Sequence, residues 1–443
     1  MFNVFFACAL VAAASASQSP QPQQPQPQQP QPQPPQPQPP VHQHPPAPQT
    51  APPAEPAAQH VHAEAGAPAW HFMQDGVAFL TYNNQGGSRG DEEIVSQNWW
   101  MGMASRAAAG GQLTFSLMLS LDPLTQYGDG YALLFQTGET WNDQPITDRQ
   151  HPHDFLMQAS VMWRRPIGRG FHLTLAGAPV GEPTLGPAAF MHRQSAAENL
   201  SAPLGHHTVD STHIANGVIS AGIDKNAWAI ETSIFRGKES DDQRWDLMDP
   251  GALDSWAARA WYRPSRAWEF QASHGFLNEP EAADDVDVRR TTMSGSWLHE
   301  RANGWTAATA VFGHNAKSEG HDNSVFLAEA THRIGQTSFF GRWESAQVET
   351  DVLLTGGHGD HESGHNAIEP AWVTALTAGL ARDVLNWRGY DVGAGADLTA
   401  YRVPDVLRAA YGDSPLSFHV FLRVRTPAPM GRMWNHVMTR PMR

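Results

Sequence analysis

Histidines and carboxylates gather at three places along the chain. His151-Pro152-His153-Asp154 sets a rigid proline between two imidazoles and ends on a carboxylate, a ligand set that suits zinc or copper. The second group runs from residue 181 to 213. It holds Gly181-Glu182-Pro183, Met191-His192-Arg193, the pair His206-His207, and then Asp210, Ser211 and His213. Gly, Pro and His at turns suggest loops folded inward. If the two loops are neighbours, His151, His153, Asp154, His192, His206, His207, Asp210 and His213 are the candidate metal ligands, with a hydrogen-bonded loop plug as the alternative reading. The third group, His358, Asp360, His361, Glu362 and His365, is interrupted by Gly359, Ser363 and Gly364 and reads as a weak cation trap. The only cysteine is Cys8, so disulfides, iron–sulfur clusters and thiolate zinc sites are excluded, and a metal would use His, Asp, Glu or Met. No cofactor is required by the sequence; a divalent metal, zinc or copper, is the one it accommodates.

Nucleophilic chemistry is the third class to weigh. Ser211 and His213 would share a face of a strand, with Asp210 adjacent, but no Gly-x-Ser-x-Gly elbow surrounds Ser211. A hydrolase is therefore the weaker alternative, and no catalytic residue is assigned.

The elements that must position these groups are strands. From residue 76 the chain alternates with a period of two. Leu113, Phe115, Leu117 and Leu119 are set against Thr114, Ser116 and Ser120; Phe418, Val420, Leu422 and Val424 are set against Ser417, His419, Arg423 and Arg425. About 16 such segments start near 77, 95, 112, 154, 170, 213, 227, 255, 267, 289, 304, 323, 336, 371, 388 and 416, an even number, as in bacterial outer-membrane barrels. Short turns at 107–111, 166–170, 224–226, 264–266, 301–304, 334–336 and 385–388 alternate with long polar connections at about 85–94, 122–153, 178–212, 237–254, 277–288, 313–322, 347–370 and 402–415. That parity predicts an all-β fold, a transmembrane antiparallel up-and-down β-barrel, with both termini on the periplasmic side. A soluble all-β enzyme or propeller would not explain Trp near strand ends, at Trp99, Trp100, Trp163, Trp228, Trp256, Trp268, Trp305, Trp343 and Trp372, whereas aromatic girdles at two lipid interfaces do.

Composition agrees. The 443 residues carry a net charge of −15, with 16% charged residues, 38 Gly and 35 Pro. A coiled coil is excluded, an acidic chain is a poor partner for nucleic acid, and no apolar run is long enough for a membrane-spanning helix. Residues 1–16 read as an export signal ending in Ala14-Ser15-Ala16, with a lipoprotein signal at Cys8 as the rival. Residues 17–70 are a Pro/Gln-rich disordered linker with scattered His42, His44, His60 and His62, expected to lie in the periplasm, where a partner could meet it. Residues 71–443 are the barrel, with a Met-rich C-terminal tail after Arg425.

The stretches MQDGVAFLTYNNQGG (73–87), QNWWMGMASR (97–106), DRQHPHDF (148–155), GEPTLGPAAFMHRQSAAEN (181–199), APLGHHTVDSTHIANGVISAG (202–222) and WDLMDPGALDS (245–255) resemble an uncharacterised family of bacterial outer-membrane β-barrel proteins. The resemblance covers residues 70–425 and implies fold and location, with no substrate or catalytic residue to carry over.

In a barrel the inward positions should be polar. They include Glu231, Arg259, Arg263, Glu269, Glu329, Arg342, Glu344, Asp391, Asp397, Arg423 and Arg425, together with Gln271 and Arg333. Mixed signs suit a hydrated pore or, equally, a salt-bridged closed lumen. Acid excess at 238–254 and 278–288 would concentrate cations at a mouth or bridge to lipopolysaccharide through divalent ions. The reading is a porin-like outer-membrane channel for small solutes or ions, metal-selective through its His/Asp loops, or a closed barrel that binds a metal or ligand there. Its partners are outer-membrane lipid, lipopolysaccharide and the solute or metal ion.

Overall fold

Along each strand it is the outward residues that are apolar. The strand Trp228–Arg236 turns Trp228, Ile230 and Ile234 out, and Ala229, Glu231, Ser233 and Phe235 in. The same inversion recurs around the wall, with Leu80, Ile223, Phe270, Leu376 and Leu422 exposed and Thr292, Glu329, Arg342 and Arg423 buried. An apolar surface of that extent requires an apolar solvent, while polar side chains fill the interior. No helix among the described residues is long and apolar enough to cross a membrane.

The computed structural model describes residues 69–426 other than 143, 212–215, 248, 250, 282–284 and 356–367. They fall in the second of two compact units, Ala63–Arg443. His213, the third histidine group, the C-terminal tail, the signal segment and the linker as far as residue 68 lie outside the described residues.

The wall strands are β1 (His71–Asn84), β2 (Asn98–Ala108), β3 (Gly111–Leu119), β4 (Leu156–Gly168), β5 (Phe171–Val180), β6 (Asn216–Lys225), β7 (Trp228–Arg236) and β8 (Ser255–Tyr262). They continue as β9 (Trp268–Leu277), β10 (Val288–Arg301), β11 (Gly304–Lys317), β12 (Asn323–Ile334), β13 (Thr337–Val348), β14 (Ala371–Trp387), β15 (Tyr390–Arg402) and β16 (Leu416–Arg425). A seventeenth segment, Glu92–Val95, pairs with β1 above β2, so the two are one strand broken at Ser96 and Gln97. Each strand pairs antiparallel with the next, and β1 pairs with β16 from Val77↔Arg425 to Asn84↔Phe418. The result is a closed 16-stranded barrel without a free edge.

Short turns, two residues long except for 263–267, alternate with the other connections around it. Ala109-Gly110, Arg169-Gly170 and Arg388-Gly389 hold positive φ at both central residues, the twist that suits a tight hairpin and the reason glycine stands second. Two expectations need correction. β1 begins at His71, not near 77, because residues 71–78 pair with 98–105 although they do not alternate cleanly. β11 runs on to Lys317, so the connection expected at 313–322 shrinks to 318–322.

The girdle reading holds for most tryptophans but not all. Trp228 stacks on Tyr262 at 4.3 Å at the short-turn rim, and Trp372 stacks on Phe326 at 6.0 Å at the long-loop rim. Trp99 instead points inward, and Trp305 packs against the same interior cluster. Their alternation parity on β2 and β11, not their position near a strand end, decides the face.

The lumen is occupied by residues 181–211, nearly all buried. Ala189, Met191, Ala197 and Leu200 of this segment pack on Phe79, Trp99, Met101, Met103, Met118, Phe340 and Phe421 of the wall. Above it the connections cap one another: Phe135 stacks on Tyr411 at 4.3 Å, and Asp148 accepts from Arg89 at 2.5 Å and from the Tyr411 hydroxyl at 3.0 Å.

Candidate metal centre

Two connections supply the site. In residues 120–155 a short ladder, Tyr131↔Gln150 and Ala132↔Arg149, delivers His151 at its end, and a second one, Thr140↔Pro145 and Trp141↔Gln144, follows directly on Glu139. The inward segment supplies His206 and His207 on a single helical turn, His206–Val209. Gly205 precedes that turn because a Cβ there would meet Val325 of β12 at 2.4 Å; Gly138, at φ +115°, lies against the His207 ring.

Ring nitrogens of His151, His206 and His207 stand within 4.8 Å of one another, and ligand atoms of Glu139, His207 and Glu239 do the same, so His207 belongs to both groups. Ring centroids are 4.0 Å apart for His206 and His207, and 5.8 Å from His151 to each. Zinc–nitrogen bonds of about 2.0–2.1 Å place tetrahedral donors roughly 3.4 Å apart, within the 4.8 Å that bounds the separation of these nitrogens. Contacts within the group and to the backbone hold the rings: His151 Nε2 lies 2.9 Å from Glu139 Oε1, His207 Nδ1 3.1 Å from Glu239 Oε1, and His206 Nδ1 3.2 Å from the Pro203 carbonyl.

Electrostatics favour a neutral His207 and an ionised Glu139. Burial, with added repulsion from His151 and Arg290, pushes the His207 imidazole down to about 3, so it is neutral at pH 7. Burial opposes ionisation of Glu139, but His151 and Arg244 outweigh it and hold the carboxyl well below the usual carboxylate range. Three imidazoles and two carboxylates form an N/O donor set fit for zinc or copper(II).

The remaining expected ligands go elsewhere. His153 Nδ1 lies 2.6 Å from Asp122; burial works against its cation, yet that hydrogen bond and charge raise its pKa. Asp154 accepts from Arg244 at 3.2 Å, and Arg244 also reaches Glu139 at 2.9 Å. His192 lies edge-on to Trp99 at 4.9 Å, deeper in the lumen. Asp210 ends the helical turn and accepts from the Ser211 amide at 2.7 Å. The Ser211 hydroxyl donates to the Leu185 carbonyl at 2.6 Å. Sequence reasoning passed over Glu139, which stands in no motif, and counted Glu239 only within an acidic loop.

The expected pore-lining charges lie on inward positions, and four of them, Arg259, Glu329, Arg423 and Arg425, pair with charges of the inward segment. Arg259 pairs with Glu231 at 2.9 Å and with Glu182 at 3.1 Å; Arg193 pairs with Glu329 at 2.6 Å. Arg342 lies 3.6 Å from both Glu329 and Glu344, while Arg263 pairs with Glu269. Glu198 binds Arg423 and Arg425, which also pair with Asp383, and Asp391 lies 4.0 Å from Arg425. Asp397 meets His419 at 2.7 Å.

No protein-family model and no curated protein matches the sequence. Among solved structures the barrel is similar to OprB of Pseudomonas putida in its high-pH form, with a TM-score of 0.51 and 10% identity over 81% of this chain and 94% of that one. It is also similar to the anion-selective porin of Comamonas acidovorans, with a TM-score of 0.48 and 10% identity over 81% of this chain and 100% of that one. The likeness to OprB agrees with the closed antiparallel barrel and bears on the fold alone.

Proposed function

We propose that the chain is a porin-like channel of the bacterial outer membrane. In this reading the inward segment narrows its path to ion size, and the His/Glu cluster at the long-loop mouth makes it selective for metal cations. The observation that carries this is a pair of narrow cavities between the inward segment and the β2–β6 wall. The outer one, about 70 Å³, is bounded by Glu139, His151 and Arg244. The inner one, also about 70 Å³, is bounded by Met162, Ala176 and Ser220. They share Gln158, Glu182 and His192 in their linings, so they lie side by side with these side chains between them. Each has room for a few waters, which suits a partly hydrated ion and is too small for a sugar. The short turns and the Pro/Gln linker then lie in the periplasm, and the acidic loops face lipopolysaccharide.

Liposomes containing the refolded chain should pass potassium and yet show no swelling in arabinose, and zinc should slow the potassium flux. Swelling in arabinose would contradict the constriction. Tight zinc binding without ion flux would support the second reading, a closed metal-binding barrel, which the ion pairs locking the inward segment favour.

A further inference from the structure

The lining of the two cavities is unusual for a hydrated lumen. Met118, Met157 and Met191 bound the outer cavity, and Met101, Met103 and Met162 bound the inner one. Six of the chain's fourteen methionines therefore line these two adjacent cavities, against three lining residues that are Leu, Ile or Val. Gap-filling alone draws on Leu and Val first, with Met as the exception. The placement is also directed. Met101 and Met103 are inward on β2 and Met118 on β3, while Met191 approaches from the inward segment opposite. The register of β3 with β4 shifts between Met118 and Leu119, and the bulge brings Met157 against the same interior cluster. His192 stands where the cavities meet and adds an imidazole. Carboxylates along the path are already paired: Glu182 with Arg259, and Asp154 and Glu139 with Arg244.

Thioethers are neutral, soft donors. They bind copper(I) and silver(I) and have little affinity for zinc, magnesium or sodium. Several weak thioether positions in series also meet the condition for passage, since an ion must be held well enough to enter and loosely enough to leave. We infer that the path is a thioether-lined route for soft monovalent cations, copper(I) above all. This rests on the channel reading for passage, but the binding itself does not.

Silver(I), which needs no reductant, is the probe. The refolded full chain, every form carrying Cys8→Ser because a free thiolate would capture the silver, is titrated with silver nitrate in chloride-free detergent buffer and examined by silver X-ray absorption, while potassium current is measured separately in bilayers. Wild type should show silver–sulfur scattering. The triple variant Met118→Leu/Met157→Leu/Met191→Leu, which keeps volume and apolarity, should bind silver at least tenfold more weakly; comparing it with wild type isolates the path from the other methionines. If that variant fails to fold, chain grown with norleucine for methionine keeps the shape without sulfur and serves instead. Silver binding equal in the sulfur-free protein, or wild type without silver–sulfur scattering, overturns the inference. Silver–sulfur scattering without potassium current defeats the channel reading while the thioether site stands; current without it does the reverse.

Discussion

His207 is the residue on which the metal centre turns, because it is shared by both donor groups. Replacing His206 and His207 together by Ala should weaken zinc binding by tenfold or more, read by titration of the refolded chain. Changing His153, which Asp122 holds apart, should alter it far less. The protonation state of His207 also has a pH signature in metal-free protein. Its pKa falls from an ordinary 6.5 in the released loop to about 3 in the docked one. A depressed base stabilises the docked state above pH 6.5, and that stability is lost as pH falls from there toward 3, because only the released ring takes up the proton. Amide hydrogen exchange in 206–209, corrected for intrinsic rate, should therefore be faster at pH 5 than at pH 7.5; slower exchange at pH 5 would contradict the buried, neutral ring. The clustering of His151 with His206-His207 was legible because the two loops flank one hairpin, β4–β5. The exclusion of His153 was not, since it depends on Asp122, some thirty residues earlier and in no motif.

The inward segment is the element that turns a wide barrel into a narrow one. It is held by buried ion pairs whose partners lie far along the chain, Arg193 with Glu329 and Glu198 with Arg423 and Arg425. Removing Arg193 leaves the buried Glu329 with only the more distant Arg342, at 3.6 Å, so the cost approaches that of a broken buried pair, about 3–5 kcal/mol, whereas removing both members costs much less. Arg193→Met should therefore release the segment and raise its cleavage by protease in folded barrels, and Arg193→Met/Glu329→Gln should restore resistance. Equal cleavage of the single and double variants would show that the pair does not anchor the segment. Alternation located the strand starts to within about three residues except at β1, whose first residues take their register from β2. The course of residues 181–211 has no periodicity to read, because its conformation is set by wall contacts more than a hundred residues away.

At the scale of the whole molecule, an apolar outside and a charged inside make sense only with lipid around the wall and water within it. The refolded chain should accordingly migrate differently on denaturing gels before and after boiling. Identical migration with no detergent-dependent β structure would refute the barrel. Net charge and exclusion of helices set the class, and turn parity set the topology. The inward segment decides how much of the lumen stays open. Single-channel recording of wild type and Arg193→Met in planar bilayers tests this most directly. The account predicts a small, steady, zinc-sensitive current in wild type and a larger one in the variant. A folded wild-type barrel that passes no current, or one that passes a large current insensitive to both zinc and the substitution, would contradict it.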